Sequence, residues 1–209
     1  MTRRSAQERV AQARKLQSVD EARKLYSEWA ADYDADIDDE LKFTGGTDIA
    51  KLLAHWLSDR TARVIDLGCG TGLVGVELQK LGFGNIDGLD LSPEMLEVAK
   101  SKNVYQQLIE ADLLKSLDLA DDAYDAAISA GTFTTGHVNA LRFSEFLRII
   151  RPGGLLVCVV ASDFWASGGF EPATERLQSK GLITSFQYTI QPISDTGDTN
   201  GYFCLAIVG

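Results

Sequence analysis

Apolar and polar positions along the chain follow two periods, one typical of buried strands and one typical of amphipathic helices. Short apolar runs that end at a turn or an acidic residue predict strands, and apolar residues spaced at i, i+3 and i+4 predict helices. The predicted strands span residues 64–66, 86–90, about 104–112, 124–129, 155–161, 183–193 and 202–208. The predicted helices among them span residues 71–81, a segment capped by Ser92 with Pro93 at its first position, about 139–150, and 175–180. Strands and helices therefore alternate through most of the chain.

A helix with an aromatic face is predicted ahead of the first strand. Ser18 and Glu21 match a capping box, which marks a helix start. Aromatic side chains then share one face of this predicted helix, at Tyr26, Trp29 and Tyr33. We expect the acidic stretch at 32–40 to break the helical pattern, and a second amphipathic helix follows at about 49–57.

The order of the elements predicts the fold class. Strands that alternate with helices form a mostly parallel, doubly wound α/β sheet, with ligands at the carboxyl ends of the strands. The last two predicted strands have no helix between them, so they should pair as a hairpin, and one should run antiparallel to the sheet. We find no repeat or linker. We therefore expect one domain, 1–209, with an N-terminal helical segment at 1–58 and a Rossmann-like core at 59–209.

Composition narrows the range of partners and compartments. The net charge of −10 disfavours a nucleic-acid partner, because such binders need basic surface. The longest apolar run, 155–161, is far too short to cross a membrane, so no membrane partner is expected. Three cysteines in apolar surroundings indicate buried thiols in a reducing compartment, which predicts a cytoplasmic protein. The sequence leaves a monomer and a homodimer equally open.

A glycine-rich motif follows the first predicted strand and carries most of the functional information. Residues 64–72 read Val-Ile-Asp-Leu-Gly-Cys-Gly-Thr-Gly, with glycines at Gly68, Gly70 and Gly72. Glycine at such a turn lets the backbone bend sharply and lets a ligand lie against bare main chain. Dinucleotide-binding folds place their third glycine one residue later, where this chain has Leu73. The spacing therefore disfavours a nicotinamide dinucleotide.

Acidic residues end three successive predicted strands. Asp66 ends the first, Asp90 the second and Asp112 the third. An acid in the position of Asp90 can accept both ribose hydroxyls of a nucleoside. Asp112 can accept from an adenine amino group, and Leu113 offers the ring an apolar contact. Together the three acids predict a nucleoside site at one edge of the sheet.

In its glycine-rich motif and in the acids that end three strands, the chain resembles the class I S-adenosylmethionine (SAM) methyltransferases, from about residue 26 to the end. The matching segments are residues 66–72, Asp90, Asp112, 124–129 and 147–155. The resemblance implies a seven-stranded sheet in the order 3-2-1-4-5-7-6 with the last strand antiparallel, SAM as cofactor and S-adenosylhomocysteine as product. Residues 25–34, 69–78 and 88–95 also resemble a narrower group, the methyltransferase-like protein of the Williams–Beuren region and its bacterial relatives.

In that narrower group the aromatic helix is a lid over the cofactor, which implies that Tyr26, Trp29 and Tyr33 close over the methionine end of SAM. Simple packing of the aromatic face on the sheet is the open alternative. The expected cofactor-binding residues are Tyr26, Trp29, Tyr33, Asp66, Gly68, Cys69, Gly70, Thr71, Gly72, Asp90, Leu91, Met95, Asp112, Leu113, Ser129, Ala130 and Gly131.

The methyl acceptor is less well defined by the sequence. The fourth strand ends in Ser-Ala-Gly-Thr-Phe at 129–133, without the Asn/Asp-Pro-Pro-aromatic tetrad of nucleic-acid amino methyltransferases. Cys158 lies in mid-strand, which disfavours a nucleophilic cysteine, and no spacing of ligands predicts a metal. A neutral or cationic small molecule is expected, methylated on oxygen or nitrogen by direct transfer. His137 is a candidate general base, and an ordinary loop residue is the alternative.

The sequence leaves two other functions open. One is a non-catalytic SAM-binding or partner-binding module, since a fold can persist without its chemistry. The other is a nucleotide-dependent oxidoreductase, which Leu73 and the terminal hairpin disfavour.

Overall fold

A seven-stranded sheet forms the centre of the protein, which the computed structural model describes over residues 4–209. In chain order the strands are β1 (Val64–Leu67), β2 (Ile86–Asp90), β3 (Gln107–Glu110), β4 (Tyr124–Phe133), β5 (Ile150–Ala161), β6 (Ile183–Pro192) and β7 (Asn200–Val208). They lie in the order β3-β2-β1-β4-β5-β7-β6. The first five strands are parallel, and β7 runs antiparallel to both β5 and β6. The predicted fold class and strand order are confirmed.

Helices cover both faces of this sheet. They are α1 (Ala6–Ala13), α2 (Val19–Trp29), α3 (Tyr33–Ala35), α4 (Gly45–Trp56), α5 (Leu73–Lys80), α6 (Pro93–Ser101), α7 (Phe143–Arg148) and α8 (Phe170–Ser179). A π-helical segment, Asp36–Glu40, continues α3, and a 3-10 turn, Ala140–Arg142, leads into α7. None of the helices described between residues 4 and 209 has the length and hydropathy that a membrane crossing requires.

The central strands are buried on both faces, as covered parallel strands must be. Every residue of β1 is buried. On one face Ile49 and Leu53 of α4 pack with Leu78 of α5 against the sheet. On the other, Phe133 at the end of β4 contacts the ring of Phe143 edge to face, with centroids 5.2 Å apart. The two layers fix the carboxyl ends of β1, β2 and β4, where the acids and glycines lie.

The amino-terminal segment differs from its prediction. The aromatic helix ends at Trp29, so Tyr33 lies on α3. The α-helical pattern does break there, but the acidic stretch is itself helical from Tyr33 to Glu40 and becomes π-helical at Asp36. The reason is a buried ion pair: Arg9 donates to Asp36 at 3.1 Å, and Trp29 Nε1 donates to the same carboxylate at 2.7 Å. Helix α1, which supplies Arg9, was not predicted. Residues 1–3 of the predicted 1–58 segment lie outside the described residues.

Several predicted boundaries were also wrong. The third strand is shorter than predicted, while β4 continues to Phe133 and β5 begins earlier, at Ile150. Helix α5 starts after Gly72, whose left-handed backbone does not belong to a helix. The predicted helix at 175–180 begins at Phe170, because Pro172 falls in the first helical turn, where a missing N–H costs nothing.

Candidate functional site

The turn between β1 and α5 is held in a conformation that glycine adopts readily. Gly68, Gly70 and Gly72 have φ angles of 76°, 53° and 91°. The backbone N–H groups of Gly68 and Cys69 both donate to the carbonyl of Leu89 on β2, at 2.8 and 2.9 Å. A Cβ at Gly70 would meet nothing within 4 Å. The loop therefore presents bare main chain to open space, which is the cradle that a ligand needs.

Asp90 lies at the end of β2 and faces this loop. One carboxylate oxygen accepts the N–H of Gly70 at 2.9 Å, and the other accepts the N–H of Ser92 at 2.9 Å. Burial raises the pKa of Asp90 above its ordinary value, and the backbone donors of Ser92 and Gly70 oppose that rise. Because each oxygen has one backbone donor, each keeps room for a further hydrogen bond.

Asp112 follows β3 and has one oxygen without a hydrogen bond. Its Oδ1 accepts the N–H of Leu114 at 2.9 Å. Its buried Oδ2 has no hydrogen-bond partner among residues 4–209. The ammonium of Lys115 is 3.7 Å from that oxygen. A buried acceptor without a donor is costly, so this oxygen is fitted for an amino group of a ligand.

Asp66 lies in β1, two residues before the glycine loop, and its buried Oδ1 has no hydrogen-bond partner among residues 4–209. It is 1% exposed, and its Oδ2 accepts the hydroxyl of Tyr105 at 2.7 Å. Burial raises its pKa to about 7, against the opposing effect of the Tyr105 hydrogen bond. The Tyr105 ring also fills the space beside Gly72 and Gly75, where a Cβ would come within 2.9 and 2.5 Å of it. Asp66 and Tyr105 thus support the loop from below.

Two adjoining cavities open above the loop. The first, of about 430 Å³, is lined by Asp90 and Asp112, and we call it the Asp90 cavity. The second, of about 390 Å³, is lined by Phe43 and Leu41, and we call it the Phe43 cavity. A set of residues lines both, namely Tyr26, Tyr33, Gly68, Gly70, Ala130, Gly131 and His137. The two cavities therefore share a wall made of the glycine loop, the end of β4 and the amino-terminal tyrosines.

The structure brings most of the predicted cofactor residues to the Asp90 cavity. Those lining it are Tyr26, Tyr33, Gly68, Gly70, Asp90, Leu91, Met95, Asp112, Leu113, Ala130 and Gly131. Trp29, Cys69 and Thr71 line only the Phe43 cavity. Asp66, Gly72 and Ser129 line neither of these cavities. The buried Ser129 hydroxyl donates to the carbonyl of Leu67 at 2.7 Å and ties β4 to β1.

The aromatic residues of the amino-terminal segment form one cluster over the shared wall. The rings of Tyr26 and Trp29 stack with centroids 6.1 Å apart, and Tyr33 meets Trp29 edge to face at 4.9 Å. Asp34, next to Tyr33, accepts the hydroxyl of Thr71 at 2.5 Å and pairs with Lys102 at 2.6 Å. Asp34 thus ties the amino-terminal segment directly to the glycine loop and to Lys102, the residue that follows α6.

His137 also belongs to the shared wall, and its hydrogen-bond partners indicate which ring nitrogen carries the hydrogen. Its Nδ1 is 3.2 Å from the carbonyl of Thr135, which can only accept, so Nδ1 carries the hydrogen. Its Nε2 is 2.7 Å from the Tyr26 hydroxyl and accepts from it. Burial lowers the pKa of His137, against the opposing effect of the Thr135 carbonyl, and burial raises that of Tyr26. The expected titration near 6.5 therefore shifts to lower pH.

The sequence analysis missed one wall of the Asp90 cavity, which comes from the amino-terminal part of the chain. This is the turn between α1 and α2 together with the start of α2, where Leu16, Gln17, Ser18 and Val19 line the cavity. Gly136 packs against it so closely that a Cβ would be 2.8 Å from the Ala13 carbonyl. A signal was present: Ser5 and Glu8 form a capping box that starts α1.

Side chains of the types that bind metals do not cluster within the described part of the chain. Between residues 4 and 209, no three His, Cys, Asp or Glu side chains lie together in a way that could hold an ion. Cys69, Cys158 and Cys204 are free thiols, and all three are buried.

Comparison with known proteins identifies the family. The model of a methyltransferase domain matches residues 64–154. Methyltransferase-like protein 27 from Homo sapiens is 33% identical over 172 residues, which cover 78% of this chain and 69% of that relative.

Solved structures share the fold. A complex of the Haloferax volcanii Trm112 methyltransferase activator with a candidate methyltransferase matches with a TM-score of 0.65 and 21% identity, over 88% of this chain and 97% of that one. Geranyl diphosphate C-methyltransferase from Streptomyces coelicolor, solved with S-adenosylhomocysteine, matches with a TM-score of 0.57 and 15% identity, over 78% of this chain and 79% of that one. The family match and the antiparallel β7 favour a methyltransferase over an oxidoreductase. The chain therefore belongs to the class I SAM-dependent methyltransferases, as its resemblance to them predicted.

Proposed function

We propose that this protein transfers the methyl group of SAM to a small-molecule acceptor, on oxygen or nitrogen, with SAM in the Asp90 cavity and the acceptor in the Phe43 cavity. The observation that carries this proposal is the shared wall. Two cavities of small-molecule size meet at Gly70, Tyr26 and His137, so ligands in them would be neighbours.

The residues of the Asp90 cavity suit the parts of SAM. Asp90 would accept the ribose hydroxyls through the free capacity of its two oxygens. The Oδ2 of Asp112, which lacks a donor among residues 4–209, would accept the adenine amino group. Leu91, Met95 and Leu113 offer the ring an apolar surface. Asp66, Gly72 and Ser129 would act indirectly, by holding the loop in place.

The amino-terminal segment is proposed to be a lid. Residues 1–58 would form this lid and residues 59–209 the core on which it closes. The contacts of Asp34 with Thr71 and Lys102, and of Tyr26 with His137, join the two parts directly above the proposed site. Such contacts would exclude water during transfer. The three buried, free cysteines support a reducing, cytoplasmic location.

When bound, SAM supplies an activated methyl group on a sulfonium, so positioning alone accounts for much of the rate. The chain would add a path for the acceptor's proton. As an acceptor hydroxyl gives its proton to the Tyr26 oxygen, Tyr26 passes its own proton to Nε2 of His137. The 2.7 Å contact and the neutral imidazole suit this relay. His137 is thus proposed as the final base, with Tyr26 between it and the acceptor.

The test is an activity screen with methyl-labelled SAM. The full chain is incubated with fractionated small-molecule extracts, and labelled products are identified by mass spectrometry. We expect a labelled small molecule that disappears with Asp90→Ala and persists with Asp118→Ala, which removes an exposed acid lining neither cavity. Binding of SAM without any labelled product would favour a non-catalytic SAM-binding module instead.

A further inference from the structure

The Phe43 cavity has walls that indicate which acceptor it takes. Its lining is mainly aliphatic and aromatic, and includes Ile37, Leu41, Phe43, Val74, Phe133 and Val159. These residues come from the π-helical segment and the loop after it, from α5, and from the inner strands β4 and β5. An apolar wall of this kind favours ligands that lose little hydration when they enter.

The basic side chains that line this cavity have ion-pair partners, whereas the carboxylate of Asp38 has none among residues 4–209. Arg14 pairs with Asp163 at 3.2 Å, and Lys80 pairs with Glu77 at 2.6 Å. Asp38 is exposed and lines the cavity, so it stands at the mouth. Among residues 4–209, its carboxylate forms no ion pair or hydrogen bond. The mouth therefore carries an uncompensated negative charge while both basic side chains already have carboxylate partners.

The surroundings of Asp38 add to this excess. Partial burial and the carboxylates of Asp34 and Asp39 raise the pKa of Asp38, and Lys102 opposes them. Lys102 is itself paired with Asp34 at 2.6 Å. A cation at the mouth would relieve this repulsion, whereas an anion would add to it.

We propose that the Phe43 cavity binds a largely apolar acceptor of neutral or positive charge, with Asp38 as the residue that selects against acidic acceptors. This rests on the proposed function, because it assigns the acceptor to the Phe43 cavity. An acidic acceptor would have to leave water for an apolar cavity and pass a carboxylate as well. An amine would keep a favourable contact at the mouth while its apolar body is buried.

The test uses three probes of similar shape and different charge: 2-(2-naphthyl)ethylamine, a cation; 2-naphthaleneethanol, which is neutral; and 2-naphthaleneacetate, the anion of the arylacetic acid. Each is titrated by calorimetry at low salt into the full chain saturated with S-adenosylhomocysteine. We expect the amine to bind about three- to tenfold more tightly than the alcohol, and the acetate to bind most weakly, since Asp38 is exposed and its effect is screened.

Two variants separate the role of Asp38 from general surface charge. Asp38→Asn should bring the amine and the alcohol to about equal affinity, with S-adenosylhomocysteine binding unchanged. Asp39→Asn is the matched control, because Asp39 is exposed on the same π-helical segment and lines neither cavity. It should keep most of the preference for the amine.

The outcomes distinguish this inference from the function on which it rests. Acetate binding as tightly as the amine, no binding of any probe, or equal effects of the two variants would each overturn the assignment to Asp38 and its cavity. Failure of S-adenosylhomocysteine to bind the wild-type chain at all would instead overturn the proposed cofactor site.

Discussion

Replacement of Asp90 by alanine isolates the contact on which SAM binding most depends. In the structure each oxygen of this carboxylate accepts one backbone N–H, from Gly70 and from Ser92, both at 2.9 Å. A carboxylate has about four acceptor positions in all. One position on each oxygen is therefore available for the two ribose hydroxyls, and alanine removes both.

The size of the effect follows from the kind of bond. A hydrogen bond to a charged group contributes about 1.5–3 kcal/mol. Part of the loss is offset, because water can reach the hydroxyls in the enlarged cavity, so we expect a net loss of about 2–3 kcal/mol or more. This corresponds to a dissociation constant for SAM that rises by about 30- to 150-fold or more.

Calorimetric titration of SAM into the wild type, Asp90→Ala and the control Asp118→Ala measures this loss. Circular dichroism must show that the variant remains folded, since alanine also leaves the N–H groups of Gly70 and Ser92 without their acceptor. A folded Asp90→Ala protein with wild-type affinity for SAM would refute the assignment of Asp90 to the ribose.

Three further predictions concern the lid, the proposed base and the loop support. Hydrogen exchange across residues 25–34 should slow when S-adenosylhomocysteine is added; equal protection with and without it would make the aromatic cluster a packing feature only. With an identified acceptor, turnover should rise through a pH below 6.5, because burial lowers the pKa of His137. Both His137→Ala and Tyr26→Phe should flatten that rise. His137→Ala should also lower kcat by about 10²-fold or more while the affinity for SAM stays nearly intact. If the His137→Ala variant keeps most of its activity, positioning alone accounts for the transfer. The pKa of Asp66 is about 7 in the folded protein, against an ordinary value of 3.8, so the folded state binds this proton more strongly than the unfolded state does. The contribution of Asp66 to the free energy of unfolding therefore falls as pH rises from about 4 to 7, by up to about 4 kcal/mol. Urea unfolding at pH 5 and pH 8 should show a smaller pH dependence for Asp66→Asn than for the wild type, and parallel pH dependences would contradict the raised pKa.

The sheet and the cofactor edge could be predicted because their signals are local. Apolar strands that end in Asp66 and Asp90, with glycines of fixed spacing after the first, specify a turn and an acid at one edge of the sheet. Chain order then brings β1 and β2 together, and register places Asp66 opposite Gly88, two residues before Asp90.

The lid and the second cavity could not be predicted in the same way because they depend on contacts between distant residues. Arg9 pairs with Asp36 across 27 positions, and Tyr26 contacts His137 across 111. Neither pairing leaves a periodic pattern in the sequence. The helical geometry of residues 32–40 depends on the buried carboxylate of Asp36, which by composition alone resembles a solvated acidic turn.

The central claim, that this fold binds SAM, is tested most directly by the melting temperature of the full chain with added cofactors. Ligand at about 100 times its dissociation constant stabilises the native state by about 2.7 kcal/mol. For a chain of this size that corresponds to about 5–10 °C. We predict such a rise with SAM and with S-adenosylhomocysteine, and none with NAD(H) or NADP(H). A rise with a nicotinamide dinucleotide and none with SAM would contradict the account.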